Sequence, residues 1–121
     1  MIVGHVDEYG RSLVPVTLRA TDCSEARGID VWVDTGFTGE LVLSATLVRE
    51  LQLTPSAIVT AALADGSKSV METYSCEVEW FGVSRTIEVI ANSGQLPLLG
   101  VGLLLGHRLV VDYDRLVVTI E

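Results

Sequence analysis

One acidic residue, Asp34, is placed where a carboxylate could carry out chemistry. It ends an apolar run, residues 29–34, and is followed by Thr35 and Gly36. A carboxylate at the end of a buried strand stays close to the core, and nearby backbone N–H groups and hydroxyls can donate hydrogen bonds to it. Carboxylates held in this way can transfer protons in a reaction. Asp34 is therefore the candidate catalytic residue.

The stretch that contains Asp34 resembles the Asp-Thr/Ser-Gly signature of aspartic peptidases. Two further features follow in that family's order. Asp65-Gly66 lies in a hairpin candidate where such enzymes carry a flap, and Leu98-Leu99-Gly100 looks like the family's hydrophobic-hydrophobic-Gly element before a short helix. With one signature in 121 residues, the chain is similar to single-domain, retropepsin-like (clan AA) members, and Phe37 is typical of a bacterial Asp-Thr-Gly-Phe group. The resemblance covers residues 10 to 120.

The resemblance implies a fold and a role for each of these residues. The fold would be mostly β, a retropepsin-like closed barrel with one or two short helices, and it would act as a homodimer. Asp34 residues would pair across the two-fold axis, Thr35 would bond across the dimer beneath them, and Gly36 would allow close backbone approach. The flap residues would be Asp65 and Gly66, and the substrate-pocket and structural residues would be Phe37, Leu98, Leu99 and Gly100.

The implied activity is that of an aspartic endopeptidase. Two adjacent carboxyl groups cannot both ionise cheaply, so the pair shares one proton. The ionised member would take a proton from a water that attacks the peptide carbonyl, and the protonated member would donate to the developing oxyanion. This chemistry requires no cofactor and no metal. The expected partners are a peptide or protein substrate and a second copy of the chain.

Two other interpretations remain open. One is a catalytically silent retropepsin-like domain that dimerises or binds extended peptides, and the other is a β-barrel binding module unrelated to peptidases. The intact signature at Asp34 favours the enzyme, because a binding module has no need for a carboxylate pair whose ionisation is mutually unfavourable. Asp65-Gly66 is equally typical of a plain hairpin turn, and residues 98–105 would be core in almost any fold.

The chain departs from retroviral enzymes at the expected dimer interface. Thr38 and Gly39 stand where those enzymes usually carry acids, and Val101 stands where they carry an arginine. The acid and the arginine that would pair there are both missing, so a dimer would be held in another way. Apolar packing by a terminal hairpin is the expected alternative. Phe37, beside the paired carboxylates, would narrow or line a substrate pocket.

Composition is consistent with one domain over residues 1–121. Hydrophobic residues make up 49% and charged residues 20%, which argues against disorder. The net charge of −8, with Lys68 as the single lysine, argues against nucleic acid as a partner.

The N-terminus shows no secretory signal, and residues 96–106 are too short an apolar run for a membrane helix, so a cytoplasmic protein is expected. Cys23 and Cys76 are expected to be free thiols.

Runs of alternating and β-branched residues predict a mainly β chain. Pro15 marks the first run as an edge or bulged strand, and Ser44 is the expected N-cap of a helix over 44–51 that ends at Thr54-Pro55. His107 is expected to be a surface or hydrogen-bonded polar residue. Strands are expected at 11–19, 29–34, 41–43, 57–63, 68–80, 84–90, 109–112 and 116–120.

Overall fold

The computed structural model describes residues 1–21, 24–94 and 96–121. Ten strands and two short helices are found in these residues, which confirms the mostly β prediction. In chain order they are β1 (Ile2–Val6), β2 (Ser12–Arg19), β3 (Arg27–Val33), β4 (Leu41–Ser44), α1 (Ala45–Leu51), β5 (Thr54–Ala62), β6 (Lys68–Trp80), β7 (Val83–Asn92), β8 (Leu98–Leu99), α2 (Val101–Leu104), β9 (Leu109–Asp112) and β10 (Val117–Ile120).

The helix predicted after β4 is confirmed, with one correction at its end. The Ser44 hydroxyl accepts a hydrogen bond from the Leu47 N–H at 3.1 Å, so Ser44 is the N-cap. The helix ends before Gln52, whose backbone is left-handed (φ 55°) and whose N–H donates to the Arg49 and Val48 carbonyl oxygens. Thr54 and the proline after it therefore do not end the helix but begin β5.

All ten strands form one sheet in the order β5-β6-β7-β4-β8-β3-β2-β1-β10-β9. β2 pairs with β3 on one side, and on the other with β1 through residues 12–13 and with β6 through residues 17–19. The sheet therefore folds back on itself where β2 meets β6. The expectation that Pro15 marks an edge or bulged strand is wrong, because β2 has neighbours on both sides and its register with β3 has no shift. Residues 14–16 nevertheless pair only with β3 among the described strands. Pro15, which lacks an N–H, lies in that stretch.

The short strand β8 pairs with the two strands that flank the loop carrying Asp34. Leu98 and Leu99 pair in parallel with Trp32 and Val33 of β3, and antiparallel with β4. β8 therefore lies between the strands that lead into and out of residues 34–40. A segment from late in the chain thus fixes the position of the candidate catalytic loop.

The core is built from inward-facing aliphatic residues of nearly every strand. Among the side chains with no exposed surface are Leu18, Val31, Leu41, Leu43, Val78, Val89, Leu99, Leu103, Val118 and Ile120. Cys76 also lies there as a free thiol, as predicted, and burial raises its pKa to about 11. A protonated thiol is a poor nucleophile. Cys23 lies outside the described residues.

The terminal hairpin is confirmed as β9 and β10. It also pairs with β1, a strand that was not predicted from the sequence. β1 pairs antiparallel with β10 from Ile2 opposite Ile120 to His5 opposite Val117. β9 consequently ends the described sheet on that side. Within residues 1–21, 24–94 and 96–121, no helix has the length and apolar character needed to cross a membrane.

Candidate active site

Asp34 follows β3 directly and is held by backbone hydrogen bonds. Its N–H donates to the Leu99 carbonyl oxygen at 2.8 Å, and its carboxylate Oδ1 accepts from the Gly36 N–H at 2.9 Å. The Phe37 N–H donates to the Asp34 carbonyl oxygen at 3.2 Å and closes a four-residue turn. The Asp34 side chain is half-buried, and Thr35 and Gly36 are exposed. The carboxylate is thus fixed in orientation while it remains accessible.

The segment that begins α2 packs directly beneath this turn. The N–H groups of Gly100, Val101 and Gly102 donate to the carbonyl oxygens of Glu40, Phe37 and Gly39 at 2.8–2.9 Å. Gly100 has no room for a side chain. A Cβ there would lie 2.7 Å from the Phe37 carbonyl oxygen and closer still to the Gly39 carbonyl oxygen. The glycine expected where two chain segments cross is therefore required by this contact.

A pocket of about 360 Å³ opens beside the carboxylate; we call it the Asp34 pocket. Its lining residues are Trp32, Val33, Asp34, Thr35 and Leu98. The Trp32 side chain, 38% exposed, is the largest of them, and sequence reasoning did not identify it as a site residue. The period-two alternation of β3 could have identified it, because Trp32 faces opposite to the buried residues on either side of it.

A charged cluster supports the outer side of the Trp32 ring. The Arg11 guanidinium lies 5.9 Å from the ring centroid of Trp32 and 4.8 Å from that of Tyr9. Arg11 Nε donates to the Asp7 carboxylate at 2.6 Å. Burial alone would raise the pKa of Asp7, but hydrogen bonds from the Arg11 backbone and side chain and from the Tyr9 N–H outweigh it and lower the pKa. The Arg11 guanidinium therefore lies within cation–π distance of Trp32, which lines the Asp34 pocket.

The hairpin of β5 and β6 has its tip at Asp65 and Gly66, as predicted, although the turn is longer than a two-residue Asp-Gly turn. Leu63 and Ser67 close the loop, and Gly66 has the left-handed backbone (φ 85°) that such three-residue loops need. Asp65 Oδ1 accepts from the hydroxyl and the N–H of Ser67, which lower the pKa of Asp65. Asp65 therefore stabilises the turn.

A second pocket, of about 370 Å³, lies between Phe37 and the β5–β6 hairpin; we call it the hairpin pocket. Its lining residues are Phe37, Gly39, Glu40, Ala57, Val59, Thr73, Glu88 and Ile90. Phe37 is half-buried, and its ring lies against Gly39 and Gly100. Phe37 thus lines the hairpin pocket and not the Asp34 pocket, and its role in a substrate pocket stays a prediction. Glu40 and Glu88 are further residues that sequence reasoning did not identify.

Other polar candidates have structural partners. The Trp80 Nε1–H donates to His107 Nε2 at 3.3 Å, and His107 Nδ1 lies 3.1 Å from the Glu121 carbonyl oxygen. His107 is therefore the hydrogen-bonded polar residue that was predicted. Asp112 Oδ1 accepts from the N–H groups of Asp114 and Arg115. The described residues contain no group of three His, Cys, Asp or Glu side chains that could hold a metal ion.

Comparisons with known proteins find solved structures that have a similar fold. No family model matches the sequence, and no curated protein matches it significantly. Several solved structures are similar, including the following three. A retropepsin-like aspartic protease from Rickettsia conorii has 17% identity and a TM-score of 0.64 over 96% of this chain and 87% of that one. EIAV protease complexed with the inhibitor HBY-793 has 17% identity and a TM-score of 0.59 over 86% of this chain and 96% of that one.

The third structure is the retroviral protease-like domain of Ddi1 from Leishmania major, with 16% identity and a TM-score of 0.53 over 92% of this chain and 88% of that one. At these identities the similarity shows the fold alone. The chain therefore has a retropepsin-like fold, which confirms the resemblance at the level of architecture. Membership of the bacterial Asp-Thr-Gly-Phe group stays a prediction.

Proposed function

We propose that the protein is a homodimeric aspartic endopeptidase in which the Asp34 residues of two copies activate a water molecule. The observation that carries this proposal is the Asp-Thr-Gly turn at Asp34, held from below by Leu99 and Gly100 within a retropepsin-like fold. The turn orients one carboxylate at the edge of an open pocket. A water-activating site of this class needs a second carboxylate close to it.

The second carboxylate would come from another copy of the chain. Asp34 is the one carboxylate that lines the Asp34 pocket among the described residues. A two-fold axis through that site would bring identical residues together and complete the pair. We propose that β9, the last strand of the described sheet, contributes to the interface together with the rest of the terminal hairpin. Its side chains, including Val110 and Val111, are half-buried and largely apolar.

The remaining site residues would have supporting roles. The Gly36 N–H would keep one carboxylate oxygen oriented, and Thr35 would bond across the dimer. The hairpin tip at Asp65 and Gly66 would close over a bound peptide and exclude water. Phe37 and Leu98 would line separate parts of the substrate cleft. A closed barrel, one domain over residues 1–121 and a cytoplasmic location belong to the same proposal.

The alternative is a silent domain that binds extended peptides without cutting them. Both functions predict peptide binding, so binding alone does not distinguish them. The direct test combines cleavage of a mixed peptide library with binding of a statine-containing peptide, whose hydroxyl imitates the attacking water. The enzyme should cleave the library, should bind the statine peptide more tightly than its unmodified counterpart, and should be dimeric when it does so. Equal affinity for both peptides without cleavage would support the silent domain.

A further inference from the structure

The hairpin pocket has an apolar wall whose position follows from strand pairing. Ala57 lies opposite Thr73, and Thr73 lies opposite Ile90, so the three share one face of the sheet. Side chains two residues away along a strand point to the same face, which adds Val59. The ring of Phe37 closes the pocket from the loop after Asp34. The pocket therefore lies between the candidate catalytic loop and the β5–β6 hairpin.

Two carboxylates line the same pocket. Glu88 accepts a hydrogen bond from the Ser56 hydroxyl at 2.7 Å, and Glu40 Oε1 accepts from the Glu88 backbone N–H at 3.1 Å. The hydroxyls of Thr73 and Ser56 lower the pKa of Glu88. Glu88 is therefore ionised at neutral pH, and its side chain is exposed to a ligand in the pocket.

Glu88 retains capacity to accept further hydrogen bonds. A carboxylate has about four lone-pair sites, and the Ser56 hydroxyl occupies one of them. The Thr73 hydroxyl has a single proton and also lies 3.3 Å from the Ala57 carbonyl oxygen, so it serves one acceptor at a time. At least two sites on Glu88 thus remain for a donor.

The two carboxylates at this rim, Glu40 and Glu88, have one cationic partner among the described residues. Arg85 Nη2 lies 3.6 Å from Glu40 Oε2, and both side chains are partly exposed, which makes this a weak ion pair. Within the part of the chain that the structure describes, Glu88 forms no ion pair, so one of the two carboxylates at this rim lacks a cationic partner. An apolar ligand that filled the pocket would remove water from these charges without replacing its hydrogen bonds, which is unfavourable.

We propose that the hairpin pocket binds a basic side chain of the peptide substrate, with arginine preferred. The aliphatic stem would lie along Val59, Ile90 and the Phe37 ring, and the guanidinium would donate to Glu88 and Glu40. Arginine suits the site better than lysine because its planar fork can donate to two carboxylates at once. This substrate class rests on the proposed function for cleavage, but binding to the pocket does not.

The test compares peptides that differ in one group. A positional set of fluorescent peptides carries arginine, or its neutral isostere citrulline, at each position in turn. Binding is measured to the Asp34→Asn protein, and kcat/KM is measured with the native protein. At one position we expect arginine to be favoured about tenfold, as for a charge-assisted hydrogen bond at a partly exposed site. The preference should decrease as salt is added.

Three variants locate the effect. Glu88→Gln should remove most of the arginine preference, and Glu88→Lys should replace it by a preference for glutamate at the same position. Glu77→Gln is the matched control, because Glu77 also accepts from two hydroxyls, those of Ser84 and Thr86, but lies outside the pocket lining. Circular dichroism confirms that each variant is folded.

The outcomes separate this inference from the proposed function. Arginine preference in binding without any cleavage supports the pocket and contradicts the peptidase. Cleavage with equal use of arginine and citrulline at every position overturns the pocket assignment and leaves the peptidase intact. A preference that survives in Glu88→Gln, or one lost equally in Glu77→Gln, also overturns the assignment, because the charge would then act from elsewhere.

Discussion

Gly100 contacts Phe37 so closely that the space between them cannot hold a methyl group. A Cβ on Gly100 would lie 2.5 Å from Cδ2 of the Phe37 ring and 2.7 Å from its carbonyl oxygen. Real Cβ atoms essentially never come this close to another heavy atom, and a carbonyl oxygen cannot move without its backbone. The start of α2 and the loop after Asp34 are therefore one packed unit.

Gly100→Ala should destabilise the protein. Overpacking of this kind costs about 1–3 kcal/mol, which for a domain of this size lowers the melting temperature by roughly 3–15 °C. Thermal unfolding followed by circular dichroism measures the shift. Gly28→Ala is the control, because a Cβ at Gly28 meets no atom within 4 Å. An unchanged melting temperature for Gly100→Ala would contradict the close contact.

Asp34→Asn should abolish peptide hydrolysis and leave the fold intact. The amide oxygen can still accept from the Gly36 N–H, so the turn survives, but an amide cannot act as a base. Cleavage of a peptide library is measured beside the circular dichroism spectrum. Asp30→Asn, at an exposed position of the same strand, should keep full activity. Hydrolysis by folded Asp34→Asn protein would remove Asp34 from the mechanism.

Specific activity should fall on dilution. If each chain supplies one Asp34, a monomer has no carboxylate pair, and activity per chain follows the dimer fraction. Activity and sedimentation are measured over the same concentration series. The statine peptide should shift the transition to lower protein concentration, because it binds only the assembled site. Activity per chain that stays constant through dissociation would argue decisively for a site within one chain.

The pH–activity profile should be bell-shaped with an acidic optimum. In the proposed mechanism the reaction would need one proton on the carboxylate pair, so both limbs would report the pair and not an individual Asp34. On the alkaline side, two negative charges would face each other across the two-fold axis. Loss of activity there should be accompanied by weaker dimerisation in sedimentation. A rate that rises steadily into alkaline pH is incompatible with a shared proton.

Stability should decrease in acid, and Glu77 should contribute to that decrease. The hydroxyls of Thr86 and Ser84 lower the pKa of Glu77 from its ordinary value of 4.5. A carboxyl whose pKa is lowered by folding stabilises the native state fully above its unfolded pKa, and this contribution is lost as the pH falls through the folded pKa. The free energies of urea unfolding of the native protein and of Glu77→Gln should therefore differ at pH 7. The difference should shrink as the pH falls below the ordinary pKa of Glu77 and vanish below its lowered pKa. A difference that is constant with pH would contradict the ionic contribution.

The parts of the fold that the sequence predicted are those determined by residues close together along the chain. Alternation predicted most strands, and Ser44 predicted the start of α1 because an N-cap hydroxyl acts within one turn. β1 was missed because Gly4 is locally unfavourable in a strand. Gly4 is nevertheless required there, since a Cβ would collide with the Leu13 carbonyl oxygen of β2. Its reason lies in a contact that only the folded chain provides.

The candidate site divides in the same way. The Asp34 turn was predicted because its residues are consecutive, and Leu98 to Gly100 because their order resembles a known element. The hairpin pocket was not predicted, since Glu40 lies in the loop before β4 and Glu88 lies in β7. The two residues meet only through the register of β4 and β7. The backbone conformation of Phe81 was also not predicted. It adopts a left-handed backbone (φ 52°) at the β6–β7 turn, which its side chain does not indicate.

The hydrogen bond from Asp34 to the Leu99 carbonyl oxygen also sets an order of events during synthesis. A growing chain that has emerged only as far as Gly94 contains the Asp34 turn but lacks β8, so the turn has no support from below. Chains fold from the N-terminus as they are made, and contacts between distant segments form late. A nascent chain therefore cannot hold the Asp34 carboxylate in this geometry until Leu98, Leu99 and Gly100 have emerged. For a peptidase, this delay would protect unfinished copies of itself on the same polysome.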